Sequence, residues 1–304
     1  MAQQEPIVFF NGELKPESQV GISIRDRGYL YGDAVFDAAR TFNGTPFRLP
    51  EHVHRLYDSL RYLRIDVGME PSEMEDWSRQ VVEYNYALLP PGQDMWVMQR
   101  ISRGIEPILP GDVMTPTVLI ETHPIPFARR ASLYRDGAAI FTPSVPRVPP
   151  RFVSPRAKTH NYLNLILGDL EAAASDPDAW SVLLDEAGNL TEGRGSNIFL
   201  VKDGTVATPK GQYVLEGITR GVTMNLAAGL DMPVEERDLD LYDAYVADEA
   251  FLTSTSLCIC PISSFNGTPV AGGKAPGTIT RRLMDAFSDT AGMDFEGQYL
   301  AHLE

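Results

Sequence analysis

The chain has 304 residues, of which 43% are hydrophobic and 9% aromatic, as in ordinary globular proteins with one large domain or two. Its 41 acidic and 26 basic residues give a formal net charge of −15, which disfavours nucleic-acid binding. No apolar run reaches the roughly 18 residues of a membrane span, and the N-terminus has no signal-peptide pattern, so we expect a cytoplasmic protein.

The first 48 residues predict strands and turns. Strand-forming residues occupy positions 7–10 and 20–24, and Asn11–Gly12 and Asn43–Gly44 are typical turn pairs. Residues 23–42 combine two glycines, three arginines and several aromatic side chains. This mixture predicts a loop that leads into a strand facing a polar cavity.

Two helices are predicted next. The first begins at Pro50, carries Arg55 in its early part, and has an apolar face made of Val53, Leu56, Tyr57, Leu60 and Leu63. The second covers residues 74 to 88.

Two strands follow, at residues 95–104 and 116–121. Alternation along the first places Arg100 and Ser102 on one face and Arg103 on the other, unless a bulge at Gly104 re-aims it.

Residues 123–137 are expected to connect two domains, a small one at 1–122 and a larger one at 138–304. Five prolines between residues 142 and 156 predict an extended loop. Lys158 follows at or just before the first turn of a predicted helix, where a lysine is ordinarily a solvated surface group. The apolar face of that helix consists of Leu163, Ile166, Leu167 and Leu170.

The remaining segments alternate between strands and helices. A strand at 180–184 is followed by a turn, and a helix that ends near Gly229 carries Ile218 on its apolar face. Residues 249–262 predict two strands joined by a polar tip, and a last helix starts near residue 277. The only two cysteines, Cys258 and Cys260, predict reduced, buried thiols and no metal site.

Four separated motifs occur in one order along the chain: Glu51-His-x-x-Arg55-Leu, Lys158, Thr191-Glu192-Gly193-x-x-Ser-Asn197 and Glu216-Gly-Ile218-Thr219-Arg220. In these motifs the chain resembles the pyridoxal-phosphate-dependent aminotransferases of class IV (fold type IV). That family includes branched-chain, D-amino-acid and (R)-amine aminotransferases and aminodeoxychorismate lyases. The resemblance extends over nearly the whole chain, from the Tyr31-Gly32 pair to Thr255.

The resemblance implies an α/β (α+β) fold of two domains, a small N-terminal α/β domain and a larger C-terminal pseudo-barrel domain, with pyridoxal 5′-phosphate between them. It also implies a homodimer in which Tyr31 reaches the neighbour's active site. Lys158 matches the lysine that binds the cofactor covalently and moves the substrate proton. Glu192 matches the carboxylate beside the protonated ring nitrogen.

The resemblance assigns the cofactor further contacts. Arg55 and the backbone N–H groups of Ile218 and Thr219 match ligands of the phosphate, as charge and helix dipole require. The other implied cofactor residues are Asn161, Tyr162, Leu215, Ser254 and Thr255.

The substrate pocket combines features of several branches. Ser102-Arg103-Gly104, Lys158-x-x-Asn161 and Ser254-Thr255-Ser256 resemble the D-amino-acid and lyase branches, whereas Tyr31, Phe36 and Arg40 resemble the branched-chain pocket. Tyr162 is one residue nearer the lysine than in branched-chain enzymes.

We therefore expect ping-pong transfer of an amino group to a 2-oxo acid, with D-amino acids and (R)-amines as the favoured donors. Arg103 and Arg100 are the candidate anchors for the substrate carboxylate, with Arg40 in reserve. Branched-chain L-amino acids are the alternative donors, and an aminodeoxychorismate lyase or an inert scaffold is a further alternative.

Overall fold

The computed structural model describes residues 5–107 and 113–303. The chain divides into two compact units. The first unit contains the chain up to Ile125 together with Ala157–Asn161, and the second contains Pro126–Arg156 and the chain from Tyr162 onward. The expected division at 1–122, 123–137 and 138–304 stays a prediction. In the described part of the chain, no helix has the length and apolar character that a bilayer crossing requires.

The first unit is a six-stranded antiparallel sheet in the order β2-β1-β6-β5-β3-β4. Its strands are β1 (Ile7–Phe10), β2 (Glu13–Pro16), β3 (Ala34–Phe42), β4 (Thr45–Pro46), β5 (Met95–Ser102) and β6 (Thr117–Pro124). Its helices are α1 (Arg27–Tyr31), α2 (Leu49–Leu63) and α3 (Pro71–Tyr86).

The second unit contains an eight-stranded mixed sheet in the order β11-β10-β9-β12-β13-β7-β8, with β14 beside β13. Its strands are β7 (Ala138–Phe141), β8 (Trp180–Ser181), β9 (Asn197–Lys202), β10 (Thr205–Thr208), β11 (Val234–Glu236), β12 (Glu249–Ser254), β13 (Cys258–Phe265) and β14 (Thr268–Pro269). Its helices are α4 (Phe127–Arg130), α5 (Ser132–Asp136), α6 (Leu163–Ser175), α7 (Ile218–Gly229), α8 (Leu241–Val246), α9 (Thr278–Ala291) and α10 (Phe295–Leu300).

Helix α2 covers one face of the first sheet with the apolar residues that its sequence pattern predicts. Val53, Leu56 and Leu60 are buried in one core with Val35 of β3 and Ile101 of β5. Because side chains alternate along a strand, Phe36 and its cross-strand neighbour Arg100 lie on the opposite face of the sheet. The sheet therefore presents an apolar face to α2 and a mixed face away from it.

The segment containing Lys158 is extended and pairs with β3. Thr159 forms an antiparallel bridge with Val35. The amide of Phe36 donates to the Lys158 carbonyl (3.0 Å), and the amide of His160 donates to the Ala34 carbonyl (2.9 Å). The expectation that Lys158 lies at the first turn of a helix is wrong, because these backbone groups are used in strand pairing and α6 begins only at Leu163.

Helix α6 packs with the face opposite to its long apolar side chains. The buried residues are Leu165, Gly168 and Ala172. A Cβ at Gly168 would lie 2.7 Å from the Leu183 Cδ1 atom, so the small residue permits the close approach. The predicted apolar face is exposed instead, at 68% for Leu163, 38% for Ile166, 46% for Leu167 and 63% for Leu170.

Two predicted strands are absent or shortened. Residues 20–24 are irregular, and the following segment forms α1, where the Asp26 side chain accepts from the Gly28 amide (2.7 Å). The strand predicted at 180–184 ends at Ser181, because Leu183 then bonds to the Glu192 carbonyl outside the ladder.

The prediction for the two cysteines is confirmed. Cys258 and Cys260 are buried, free thiols in β13. Burial raises the pKa of Cys260 far above that of an exposed thiol. Among the described residues, no group of histidine, cysteine or carboxylate side chains could hold a metal ion.

Gly104 provides a test of the β5 edge. Its φ is +91°, and a Cβ there would lie 1.8 Å from the Thr115 carbonyl oxygen. We expect Gly104→Ala to lower the free energy of unfolding by more than about 2 kcal/mol, because strain and a backbone clash add. Urea unfolding measures this change. Gly12→Ala is the control, since Gly12 has φ +97° and no atom within 4 Å of its Cβ position. Equal losses in the two variants would contradict the clash.

Candidate active site

Lys158 is half-buried, and its backbone and amine have separate contacts in the first unit. Its amide donates to the Ser59 hydroxyl (3.0 Å), and that hydroxyl donates to the Arg55 carbonyl (3.0 Å). Its Nζ atom lies 4.5 Å from the centre of the Phe36 ring. The amine is therefore held on the mixed face of the sheet by a backbone that α2 and β3 both bind.

Arg55 is paired side-on with Asp37 of β3. Its Nε and Nη2 atoms donate to the two carboxylate oxygens, each at 2.8 Å. Burial alone would raise the pKa of Asp37, but the charges of Arg55 and His52 lower it well below its usual range. Sequence reasoning missed Asp37 and His52, although His52 lies inside the Glu51-His-x-x-Arg55 motif.

Arg103 uses four of its N–H groups within the protein. Nε and Nη2 donate to the Asp33 carboxylate (2.7 and 3.0 Å). Nη2 and Nη1 donate to the carbonyls of Leu63 and Arg64 at the end of α2 (2.8 and 3.1 Å). Arg103 thus caps a helix C-terminus, where a cation is favoured.

Arg100 lies beside Phe36 on the mixed face. Its guanidinium carbon is 5.4 Å from the centre of the Phe36 ring, and its Nε donates to Glu121 (2.5 Å). Among the described residues, its Nη1 has no hydrogen-bond partner. Arg40, by contrast, is 1% exposed and packs on Phe42, so its burial argues against a role as the substrate anchor.

Glu121 and His160 complete the polar groups around Arg100. Burial alone would raise the pKa of Glu121, but hydrogen bonds from His123 and Arg100 lower it to about 2. Burial, with Arg100 nearby, lowers the pKa of His160 to about 4, so its ring is neutral at pH 7. Its buried Nε2 has no hydrogen-bond partner among the described residues.

Tyr31 and Asn161 lie at the edge of the first unit. Tyr31 is 62% exposed, and the Arg27 guanidinium lies 5.2 Å from its ring centre. A Cβ at Gly32, whose φ is +68°, would lie 3.3 Å from the Asn161 Oδ1 atom. This position favours the glycine of the Tyr31-Gly32 pair.

In the second unit, Glu192 is buried and held at both oxygens. Arg147 donates to Oε1 from Nε (3.1 Å) and Nη2 (2.9 Å), and the Leu215 amide donates to Oε2 (2.9 Å). A carboxylate with these partners is stabilised in its ionised form, as the protonated ring nitrogen of the cofactor requires. Arg147 lies in the proline-rich loop, and sequence reasoning gave no signal for it.

The N-terminus of α7 carries Ile218 and Thr219. No side chain caps it, so its first amides are available to an anion. A Cβ at Gly217 would lie 2.2 Å from the Asn197 Oδ1 atom, while Asn197 Nδ2 donates to the Leu215 carbonyl (2.9 Å). The glycine of the fourth motif therefore permits the asparagine of the third to bind beside it.

The turn between β12 and β13 contains Ser254, Thr255 and Ser256. The Ser254 hydroxyl accepts from the Leu257 amide (2.9 Å), and the Ser256 hydroxyl accepts from Arg130 (2.6 Å). Tyr299 of α10 donates to the Ser256 carbonyl (2.6 Å), and Tyr134 of α5 donates to the Leu257 carbonyl. Tyr162 lies at the N-cap of α6.

Each unit carries part of the group set that pyridoxal phosphate requires. The first supplies an amine, Lys158, and a guanidinium, Arg55. The second supplies a carboxylate, Glu192, an uncapped helix N-terminus at Ile218 and the hydroxyl-bearing turn at Thr255. The chemistry of these donors fits an aldehyde, a protonated ring nitrogen and a phosphate.

Comparisons with known proteins agree with this chemistry. The family model described as "Amino-transferase class IV" matches residues 34–265. A putative branched-chain-amino-acid aminotransferase of Methanocaldococcus jannaschii is 36% identical over 93% of this chain and 95% of that relative. A D-alanine aminotransferase of Bacillus licheniformis is 29% identical over 93% of this chain and 96% of its own length.

Solved structures confirm the predicted fold class. A branched-chain amino acid aminotransferase solved with pyridoxamine 5′-phosphate, from the source abbreviated T.th., superposes with a TM-score of 0.83 at 28% identity, covering 97% of both chains. The Escherichia coli branched-chain enzyme superposes with a TM-score of 0.84 at 28% identity, covering 99% of this chain and 97% of that one.

The lowered pKa of Glu121 predicts a pH-dependent contribution to stability. A carboxyl whose folded pKa is about 2, below its ordinary 4.5, stabilises the fold above pH 4.5 and loses that contribution as the pH falls toward 2. We expect Glu121→Gln to be less stable than the native chain at pH 7, and the difference to shrink between about pH 4.5 and 3.

Urea unfolding at several pH values measures this difference. Glu83→Gln, at an exposed position of α3, is the control for the loss of one negative charge. A difference at pH 3 as large as that at pH 7 would contradict the pairing of Glu121 with Arg100 and His123.

Proposed function

The chain belongs to the class IV aminotransferase family, and on that premise we propose that it transfers amino groups between branched-chain L-amino acids and 2-oxo acids. It is a pyridoxal-phosphate-dependent transaminase, as the family is. The sequence favours D-amino acids and (R)-amines, but the contacts of its arginines support the branched-chain alternative better.

The proposed roles follow from the contacts of each residue. When bound, pyridoxal phosphate supplies a ring that takes up negative charge as the substrate Cα loses its proton. Lys158 holds the cofactor covalently and, once released, moves that proton. Glu192, ionised beside Arg147, accepts a hydrogen bond from the ring nitrogen. Arg55, the Ile218 and Thr219 amides and the Thr255 hydroxyl bind the phosphate.

The observation that carries the substrate proposal is that Arg100, and not Arg103, lies beside the lysine amine. Lys158 Nζ and the Arg100 guanidinium lie 4.5 and 5.4 Å from the centre of the same ring, Phe36. Arg103 instead donates to Asp33 and to two helix carbonyls, which removes the main support for a D-type carboxylate anchor.

The D-amino-acid reading keeps one supporting observation. Ser254 and Ser256 flank Thr255 in the turn, as in the D-amino-acid branch, and Arg130 donates to the Ser256 hydroxyl. This turn therefore supplies a guanidinium and two hydroxyls in the second unit. D-alanine and (R)-1-phenylethylamine accordingly belong among the donors tested.

Incubation of the purified enzyme with single amino donors, without acceptor, tests the proposal. We expect L-leucine, L-valine and L-glutamate each to release one equivalent of 2-oxo acid per active site, measured by chromatography. D-alanine and (R)-1-phenylethylamine are expected to react at least about 100-fold more slowly, since the wrong carboxylate placement costs about 3 kcal/mol in the barrier. The reverse order would replace the proposal with the D-type activity.

Two arginine variants and one lysine variant serve as controls. Arg100→Met is expected to raise KM for the donor acid, whereas Arg103→Met is expected to lower stability without changing the order of donors. Lys158→Ala is expected to release no product with any donor. An active Lys158→Ala protein would contradict the mechanism.

We also propose that the protein is a homodimer. The support is the exposed apolar stripe of α6, in which Leu163 and Leu170 are more than half exposed, and the exposed ring of Tyr31. A contiguous apolar surface on a folded protein indicates a contact with another chain. Both features match the dimer that the family resemblance implies.

A double substitution tests the dimer. We expect Leu163→Asp with Leu170→Asp to convert a dimer into a monomer, because charges on a buried apolar contact are strongly unfavourable. Sedimentation velocity across a concentration series measures the assembly state. Tyr242→Asp, at a 72%-exposed aromatic residue of α8, is the control. A wild-type protein that is monomeric at all concentrations would reject the proposal.

A further inference from the structure

We propose that Asp37 and His52 are positioning residues for the cofactor phosphate and that they act by orienting Arg55. The inference rests on the proposed role of Arg55 as a phosphate ligand, and it adds the residues that set the direction of its guanidinium. All three side chains belong to the first unit.

The Asp37 carboxylate has a donor at every side. Its Oδ1 atom accepts from the Ala38 amide (2.7 Å) and from Arg55 Nη2 (2.8 Å), and it lies 2.7 Å from His52 Nδ1. Its Oδ2 atom accepts from Arg55 Nε (2.8 Å). Since an ionised carboxylate only accepts hydrogen bonds, His52 Nδ1 carries the proton in this contact.

The geometry of the pair restricts the guanidinium to one orientation. A guanidinium is planar, so two hydrogen bonds along its Nε–Nη2 edge determine both its plane and the direction of Nη1. Arg55 is otherwise a long side chain with many rotamers. The two bonds to Asp37, whose side chain is fully buried, select one of them before any phosphate binds.

His52 restrains the carboxylate itself. It precedes Arg55 by three residues on α2, so both side chains leave the same face of the helix. Burial lowers the pKa of His52 despite the neighbouring Asp37, which favours a neutral ring that donates from Nδ1. The other charged groups facing it are Arg55 and Lys158, and both favour the neutral form. The ring therefore limits rotation of the Asp37 carboxylate about its Cβ–Cγ bond.

Charge alone and positioning predict opposite effects for Asp37. A carboxylate close to a bound phosphate repels it, so neutralising Asp37 would strengthen phosphate binding if only its charge mattered. If Asp37 orients Arg55, an amide in its place breaks the pairing, because the amide NH₂ group meets an N–H donor of Arg55. Phosphate binding then weakens despite the loss of negative charge.

The test compares two ligands that differ only in the phosphate. Apo wild-type protein and apo Asp37→Asn are titrated separately with pyridoxal 5′-phosphate and with pyridoxal, and binding is measured by absorbance and tryptophan fluorescence. For Asp37→Asn we expect a Kd for pyridoxal phosphate raised about 10- to 100-fold and a Kd for pyridoxal changed by less than about twofold. His52→Leu is expected to shift the same ratio in the same direction by about 3- to 10-fold.

Asp94→Asn is the matched control. Asp94 is a buried carboxylate in the same unit that accepts from the Thr41 hydroxyl (2.5 Å) and the Gly44 amide (3.1 Å). It controls for the general cost of neutralising a buried acid, and we expect no change in the ratio of the two Kd values. If Asp37→Asn does not fold, the ratio measured for His52→Leu decides the question.

Three results would overturn the inference. They are unchanged or tighter binding of pyridoxal phosphate by Asp37→Asn, equal weakening of both ligands, and a wild-type protein that binds the two ligands equally. The last would also remove the phosphate role of Arg55. Failure of every amino donor, in contrast, would reject the proposed substrates and leave the ratio of affinities measurable.

Discussion

The pairing of residues 157–161 with β3 is the interaction on which the arrangement of the first unit's functional groups depends. The Thr159 bridge to Val35 and the two backbone bonds beside it determine which face each side chain takes. Thr159 is buried, whereas the Lys158 amine lies over Phe36 beside Arg100. A shift of one residue would exchange these faces and turn the amine toward the core. The position of the lysine is thus a property of strand register.

Helix α2 supports this register and also determines which arginines remain available. Ser59 links the Lys158 amide to the Arg55 carbonyl, and Asp37 binds the Arg55 side chain. The end of the same helix binds Arg103. One helix therefore holds the lysine strand, directs one guanidinium and uses another as a cap. The second unit follows the same principle, since Arg147 holds the Glu192 carboxylate in its ionised form.

Several parts of the molecule could be predicted from sequence because their signals are local. The apolar spacing and Pro50 identify α2, and the Ile218 face and Gly229 identify α7. The order of the four motifs identifies the family, because each motif keeps its residue types close together in the chain. Alternation along a strand was enough to predict two buried cysteines, since it depends only on neighbouring positions.

By itself, the sequence determined the family, most helices and strands and the residue types of the candidate site. Only the tertiary structure decided that Lys158 is extended, because its hydrogen-bond partners are in β3, more than a hundred residues earlier. It likewise decided that Arg103 binds helix carbonyls, and that the apolar face of α6 is the exposed one. Each of these outcomes depends on partners distant in sequence, and periodicity carries no information about which distant groups meet.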